Sequence, residues 1–207
     1  MNSKPVLRIQ TVIFKSRNTA KIAYLDYMRS DKIVQFVSFE TSLPRELFIK
    51  QWELYSRSVN SDADVTLQQT EKKGVFKYMA QHRCASGEFQ FLFSKAGRSS
   101  RVPEVEIKAK QAGGYSMLQE ERMTDTTSGE SKIFAFIVPA VTDLQPYKQL
   151  TAHAALNIYE AYFENCQYAF VLEYFVKNNN ITALTELLKA LSPSEIGVYT
   201  ECELHIA

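Results

Sequence analysis

The stretch 32-KIVQFVSFETSLPRELFIKQWELYSRSV-59 contains the clearest strand and the clearest helix of this 207-residue chain, one after the other. Its first part, 32–40, is rich in β-branched and aromatic side chains, which favour an extended strand. A hydroxyl residue followed by Pro44 then signals the start of a helix. Apolar residues recur at steps of four, three and four, on a single helical stripe, at Phe48, Trp52, Tyr55 and Val59. The sequence therefore predicts a strand followed by an amphipathic helix.

Two further strands are expected directly after this unit. The segments 65-VTLQQT-70 and 75-VFKYMAQHRC-84 are separated by a turn that contains Gly74. If the second segment is extended, alternate side chains point to the same face. One face then carries Phe76, Tyr78, Ala80, His82 and Cys84, and the other carries Val75, Lys77, Met79, Gln81 and Arg83. We therefore expect one aromatic face that ends in a histidine.

The remaining elements are less sharply marked. A strand is expected over 105–118, interrupted at Gly113 and Gly114, where a bulge or a close backbone approach is plausible. Residues 88–104 are left open, because 88-EFQFLF-93 alternates like a strand but also fits a short buried helix. The later pattern predicts, in order, a strand at 132–141, a helix at 150–165, a strand at 167–177, a helix at 181–192 and a strand at 195–206.

The polar run 120-EERMTDTTSGES-131 lacks periodicity and is the best candidate for a linker. It divides the chain into an N-terminal unit, residues 1–122, and a C-terminal unit, residues 131–207. An extra strand at 6–14 and an extra helix at 18–29 are expected in the first unit, and the second unit is expected to be one strand short. This order predicts an α+β protein with antiparallel sheets covered by helices.

The order β-α-β-β-α-β over residues 31–120, with 111-QAGGYSMLQ-119 as its late element, resembles the ferredoxin-like half-barrels of the dimeric α+β-barrel superfamily. The resemblance extends more weakly over 131–207. It implies that two such units close their sheets into one barrel, either between two chains or between two halves of one chain. It also implies that a small ligand can lie between sheet and helices, and it makes a homodimer an expected assembly.

Composition narrows the classes of function. With 24 Lys and Arg against 23 Asp and Glu, the net charge of +1 provides no long-range field to attract nucleic acid or anionic lipid. The stretch 73-KGVFKYMA-80 begins like an RNA-binding strand, but its aromatics are out of register with that motif. Three widely spaced cysteines do not form a disulfide framework, and 1-MNSKPVLRIQTVIFKSRN-18 is too polar for a signal sequence or a membrane span. We therefore expect a cytoplasmic protein with neither nucleic-acid nor membrane partners.

The candidate site is built on the expected aromatic face. His82 is the candidate catalytic residue, because imidazole exchanges protons near neutral pH and Tyr78 would share its face. Phe76, Tyr78 and Tyr115 are candidate ligand contacts, with Tyr115 projecting into the same cavity as Tyr78. Arg98, in the polar loop 96-AGRSSR-101, is the candidate contact for an anionic group.

No metal or cofactor is expected, because Cys202 and His205 would point to opposite faces of a strand and His153 has no ligand partner one turn away. The sequence thus favours a protein that either only binds a small hydrophobic or aromatic molecule or also transforms it by proton transfer. The alternative is a non-catalytic assembly or sensing module whose aromatic sheet face is only core. A cavity of ligand size that reaches His82 would favour the first, and a solidly packed face the second.

Overall fold

The computed structural model describes residues 33–59, 64–70, 76–84, 107–121, 130–141, 143–162 and 166–203. The expected strand at 6–14, the expected helix at 18–29 and the open segment 88–104, with Arg98, lie outside the described residues.

The described helices and strands alternate along the chain in two similar series. The first series is β1 (Ile33–Thr41), α1 (Arg45–Val59), β2 (Asp64–Gln69), β3 (Tyr78–Cys84) and β4 (Ile107–Gln119). The second is β5 (Glu130–Ile137), α2 (Gln145–Lys148) with a 3-10 turn (Gln149–Ala152), β6 (Ala155–Ala161), β7 (Phe170–Lys177), a 3-10 turn (Asn178–Asn180), α3 (Ile181–Ala190) and β8 (Glu195–Glu201). The protein is therefore a strand-rich α+β protein, as the sequence predicts.

The strands of the described residues form one closed barrel in the order β1-β3-β2-β8-β5-β7-β6-β4, and neighbouring strands are antiparallel. Within it, the first four strands follow the order β4-β1-β3-β2 and the last four follow the equivalent order β8-β5-β7-β6. Two seams join the halves, β4 with β6 and β2 with β8. The barrel therefore closes inside one chain.

Both surfaces of the barrel wall are buried, which gives the fold three apolar clusters. The cluster between α1 and the first half of the sheet includes Phe39, Phe48, Trp52, Leu67 and Tyr78. The cluster between α2, α3 and the second half includes Tyr147, Leu156, Leu172, Tyr174, Leu184 and Leu188. The third cluster fills the lumen with Val34, Phe36, Met79, Tyr115, Phe134, Phe136, Tyr159, Tyr168, Val171 and Tyr199. Because apolar side chains line both surfaces of the wall, the lumen and the outer layers are both core.

The predicted helix over 150–165 is wrong. The chain there forms the 3-10 turn Gln149–Ala152 and then the strand β6, Ala155–Ala161. Leu156 and Ile158 pack in the outer layer, whereas Tyr159 packs in the lumen. A strand that is buried on both faces shows a continuous apolar run, which periodicity cannot distinguish from a buried helix. The second half therefore has the strand that the sequence analysis expected it to lack.

Across the described residues, no helix is both long and apolar enough to cross a membrane.

Candidate ligand site in the barrel lumen

The two faces of β3 lie in different environments. Tyr78 and Ala80 belong to the outer cluster under α1, and the ring of His82 lies 6.0 Å from that of Trp52 on the same helix. Met79 belongs to the lumen cluster on the other face. The alternation predicted for this strand is therefore correct from Tyr78 to His82, but the face of Tyr78 and His82 is covered by a helix. The lumen is on the opposite face of β3. A barrel strand that also has a helix packed outside it is buried on both faces.

Phe76 does not share the face of Tyr78. It precedes β3, which begins at Tyr78, and its ring meets that of Phe136 edge-on at 6.0 Å. Tyr115 also lies in the lumen, where its ring meets that of Phe36 edge-on at 5.4 Å. The expectation that Tyr115 and Tyr78 share a cavity is therefore wrong, whereas the structure brings Phe76 and Tyr115 together.

Phe76 and Tyr115 line a small pocket at one end of the lumen, which we call the aromatic end. Its other lining residues are Phe36, Ser38, Met79, Gly113, Phe136 and Val171. The pocket has about 10 Å³ of free space, which is room for about one water molecule. His82 is not among its lining residues. The space therefore has an aromatic wall, but in this conformation it is smaller than an organic ligand.

Gly113 allows Tyr115 to lie flat against its own strand. A Cβ atom added at Gly113 would come within 2.7 Å of Cε2 of the Tyr115 ring, closer than Cβ contacts occur in proteins. The ring of Tyr115 is 1% exposed and packed on Phe36, so it has little room to give way. The close backbone approach expected at the glycine pair is thus made by the ring of Tyr115, which packs on the backbone at Gly113. This contact shapes one wall of the pocket.

His82 is 5% exposed beneath α1. Burial lowers the pKa of His82 to about 4, so its imidazole is neutral at pH 7. Burial, and then the nearby Cys202, raise the pKa of Tyr78. The catalytic role assigned to His82 and the ligand contact assigned to Tyr78 stay predictions, and the structure places both residues away from the pocket.

The opposite end of the lumen, which we call the charged end, holds a row of alternating charges. Lys132 Nζ lies 3.1 Å from Glu201 Oε2 and 3.4 Å from Glu173 Oε1. Arg83 lies 3.9 Å from Glu173 and 3.6 Å from Glu120. Lys132 and Glu173 are fully buried, whereas the two terminal carboxylates are partly exposed. The row joins β3 and Glu120, the residue after β4, in the first half to β5, β7 and β8 of the second.

Glu173 is the centre of this row. Its carboxylate accepts hydrogen bonds from Tyr159 Oη at 2.5 Å, from Asn157 Nδ2 at 3.3 Å and from Gln81 Nε2 at 3.3 Å. Burial, and then the charge of Glu173, raise the pKa of Tyr159 well above its usual value, so Tyr159 stays protonated and donates. A buried carboxylate with this many donors is well satisfied, which favours a structural role for the charged end.

Sequence analysis missed the charged end. Lys132 and Glu173 stand in otherwise apolar strand segments, 132-KIFAFIV-138 and 170-FVLEYFV-176. A lone charge in a strand that is buried on both faces must find a partner, and that signal could have found the pair. Among the described residues, no group of three or more His, Cys, Asp or Glu side chains is placed to hold a metal ion; His205 lies outside them.

No protein-family model and no curated protein matches this sequence. Solved structures do match its fold. A variant of chlorite dismutase from Candidatus Nitrospira defluvii aligns with a TM-score of 0.52 and 11% identity, covering 86% of this chain and 94% of that chain. The same enzyme in complex with imidazole aligns with a TM-score of 0.51 and 10% identity, with the same 86% and 94% coverage.

A further protein, described provisionally as a chlorite dismutase, aligns with a TM-score of 0.53 and 8% identity, covering 83% of this chain and 95% of that chain. Identities this low establish shared architecture and leave activity undetermined. The likeness therefore shows the fold alone: this chain has a fold similar to that of the chlorite dismutases.

Proposed function

We propose that this protein binds a small hydrophobic or aromatic molecule at the aromatic end of its barrel lumen. The observation that carries the proposal is that Phe76 and Tyr115, which are distant in sequence, line one pocket together with Phe36, Met79 and Phe136. Pockets for small organic molecules are lined mostly by apolar and aromatic side chains with a few polar groups. The structural likeness to chlorite dismutases supports the proposal only at the level of the fold.

Phe76 is the residue that must move to admit a ligand. It is half-buried and precedes the first residue of β3, whereas Phe36, Met79, Phe136 and the other large side chains of the pocket are buried in the barrel wall. The ring of Phe76 contacts that of Phe136 edge-on at 6.0 Å. Rotation of the Phe76 side chain would add the volume that its ring now occupies to the pocket. The small free space is then the closed state of the site.

Binding of 4-fluorobenzyl alcohol, followed by fluorine NMR titration, tests this proposal. The probe should bind the natural protein weakly. It should bind a Phe76→Ala variant about tenfold more tightly, because removal of the ring opens the pocket without a conformational cost. Tyr78→Phe is the matched control on the outer face of the same strand, and it should bind as the natural protein does. If neither the natural protein nor Phe76→Ala binds the probe, the proposal is wrong.

We also infer that the two halves of the barrel are two ferredoxin-like half-barrel units, corresponding to the expected division into residues 1–122 and 131–207. The support is the equivalent strand order of the two halves. Since the units already pair within one chain, a homodimer would have to form through another surface, and it stays a prediction. Proton transfer by His82 is not part of the proposed function, because the imidazole lies on the outer face of β3.

The small size of the pocket favours a second candidate function, a non-catalytic assembly or sensing module with a solid barrel. Ring pairs fill much of the lumen, among them Phe36 with Tyr159 at 5.0 Å and Phe134 with Tyr199 at 5.4 Å. In such a module the aromatic lumen is core and the exposed helix faces contact a partner. Failure of the probe to bind the Phe76→Ala variant would favour this candidate.

A further inference from the structure

The wall of the aromatic pocket carries no charge. Among the lining residues that the structure describes, four have aromatic rings, and the polar side-chain oxygens are those of Ser38 and Tyr115. The buried charges lie at the other end of the lumen, where Lys132 pairs with Glu173. A charged group that enters an apolar space without a partner pays a large desolvation penalty. The pocket therefore favours ligands that are uncharged.

Ser38 is the polar residue of the wall that is best placed to orient a ligand. It is 4% exposed, and its register partner across β1 and β3 is Met79, which also lines the pocket. The ring of Tyr115, by contrast, packs against the backbone of its own strand at Gly113. A serine hydroxyl has one donor and two acceptor positions, so it can bond to a ligand as well as to a partner within the protein.

Phe76 sets the size of the ligand. With its ring edge-on to that of Phe136, the pocket has free space for about one water molecule. Movement of the Phe76 side chain adds the volume of one phenyl ring. A larger ring system would have to displace Phe36, Met79 or Phe136 as well, and these side chains are buried in the barrel wall. The open pocket therefore has room for a single aromatic ring.

We propose that the aromatic pocket selects uncharged ligands of the phenol class, with one aromatic ring and a ring hydroxyl, and that Ser38 recognises this hydroxyl. This inference rests on the proposed function and specifies its ligand class. The ligand ring takes the place of the Phe76 ring beside Phe136, and the ligand hydroxyl donates a hydrogen bond to Ser38 Oγ. A polar group in an otherwise apolar pocket fixes the orientation of the ligand.

Four probes with the same fluorinated ring test the hydroxyl and the absence of charge by fluorine NMR titration at pH 7. They are 4-fluorophenol and fluorobenzene, which are neutral, 4-fluorobenzoate, which is anionic, and 4-fluorobenzylamine, which is cationic. The phenol should bind about fivefold more tightly than fluorobenzene, because it adds one hydrogen bond. Both charged probes should bind more weakly than fluorobenzene. The Phe76→Ala variant should show the same ranking at higher affinity.

A fifth probe, 6-fluoro-2-naphthol, tests the size limit. It has the same hydroxyl group on two fused rings. Binding to a general apolar surface would strengthen with the added ring, because affinity for such a surface rises with apolar area. In the pocket, the naphthol should instead bind at least about fivefold more weakly than 4-fluorophenol, because the second ring forces buried wall residues from their positions.

Variants of Ser38 test its role. In Ser38→Ala, the preference for 4-fluorophenol over fluorobenzene should fall to less than about twofold, while binding of fluorobenzene is unchanged. Ser38→Cys keeps the size of the side chain with a weaker hydrogen-bonding group, and its preference should be intermediate. Ser131→Ala is the matched control, because Ser131 is also buried but its hydroxyl donates to Asn178 Oδ1 at 2.9 Å. Circular dichroism checks that each variant has folded.

The outcomes separate the ligand class from the proposed function. If fluorobenzene binds and 4-fluorophenol binds no better, if a charged probe or the naphthol binds most tightly, or if Ser38→Ala keeps the full preference, the ligand class is overturned and the proposed function stands. If none of the probes binds the natural protein or Phe76→Ala, both are overturned.

Discussion

The two ends of the barrel lumen differ in the side chains that line them. At the charged end, Glu173 has three side-chain hydrogen-bond donors and two cationic neighbours. The aromatic end is lined mostly by apolar and aromatic side chains and retains a small free space. The comparison favours a structural role for the charged end, and it leaves the aromatic end as the place for the proposed ligand.

The largest expected effect tests the structural role of the charged end. Lys132→Met should reduce the free energy of unfolding by about 3 to 5 kcal/mol, because it removes one partner of a buried ion pair and leaves Glu173 poorly compensated. Urea unfolding measures the change. Lys189→Met is the matched control, because Lys189 is exposed and pairs with Glu186 only on the surface of α3, and it should change stability by less than about 0.5 kcal/mol.

A loss for Lys132→Met that is no larger than the loss for Lys189→Met would show that the charged end does not hold the halves together.

His82 lies outside the lumen and serves as a reference for both ends. Burial is the cause of its pKa shift, and no charged group among the described residues offsets it. Its pKa is lowered to about 4 in the folded protein, from 6.5 in the unfolded chain. Its neutral form is therefore favoured on folding, so its contribution is fully present above pH 6.5 and is lost as the pH falls toward 4. The difference in unfolding free energy between pH 7 and pH 4 should be about 3 kcal/mol smaller in His82→Phe than in the natural protein.

Carboxylates titrate in the same pH range, so the measurement is the difference between the two proteins in urea unfolding at each pH. Equal pH dependence in both proteins would show that His82 is not buried as described. Binding of 4-fluorobenzyl alcohol should be unchanged in His82→Phe, and its loss would restore the functional role first assigned to this histidine.

A sharper comparison within the lumen makes the same substitution at a hydroxyl that donates to Glu173 and at one that has no partner among the described residues. Tyr159→Phe removes a donor to a buried carboxylate and should reduce stability by about 1.5 to 3 kcal/mol. Tyr199→Phe removes a hydroxyl that has no hydrogen-bond partner among the described residues, so it should be neutral or slightly stabilising. Thermal and urea unfolding of both variants measure the pair. Equal losses would mean that the Tyr199 hydroxyl has a structural partner, which would contradict the difference drawn between the two hydroxyls.

The smallest expected effect concerns the wall of the aromatic pocket. Gly113→Ala should reduce stability by about 1 kcal/mol, because the new Cβ forces the ring of Tyr115 from its position, partly offset by the lower entropy of the unfolded chain. In a Tyr115→Leu background the same substitution should be neutral or stabilising, which a double-mutant cycle by urea unfolding would reveal. An equal loss in both backgrounds would exclude the ring contact as its cause.

Much of the fold is predictable where an element has one buried face or a clear boundary. The strand and helix around Pro44 and the helix α3 follow the expected patterns, because α1 and α3 each present an apolar stripe to the sheet. The strand β6 is different, since it is buried on both faces and has the composition of a buried helix. Its extended form is fixed by ladders to β4 and β7 on either side, which local sequence does not encode.

The candidate site was predictable only in part. Phe76 and Tyr115 were identified as ligand contacts from aromatic character and an adjacent glycine, and the pocket contains both. Tyr78 and His82 were grouped with them by period-two alternation, but they lie under α1.

The sequence by itself determined the composition of each strand face and the succession of strands and helices along most of the described chain. These follow from local backbone preferences and from the alternation of side chains across a strand. Only the tertiary structure decided which face of β3 meets the lumen and which charges share it. Closure of a barrel places strands that are far apart in sequence side by side, and no local preference contains that information.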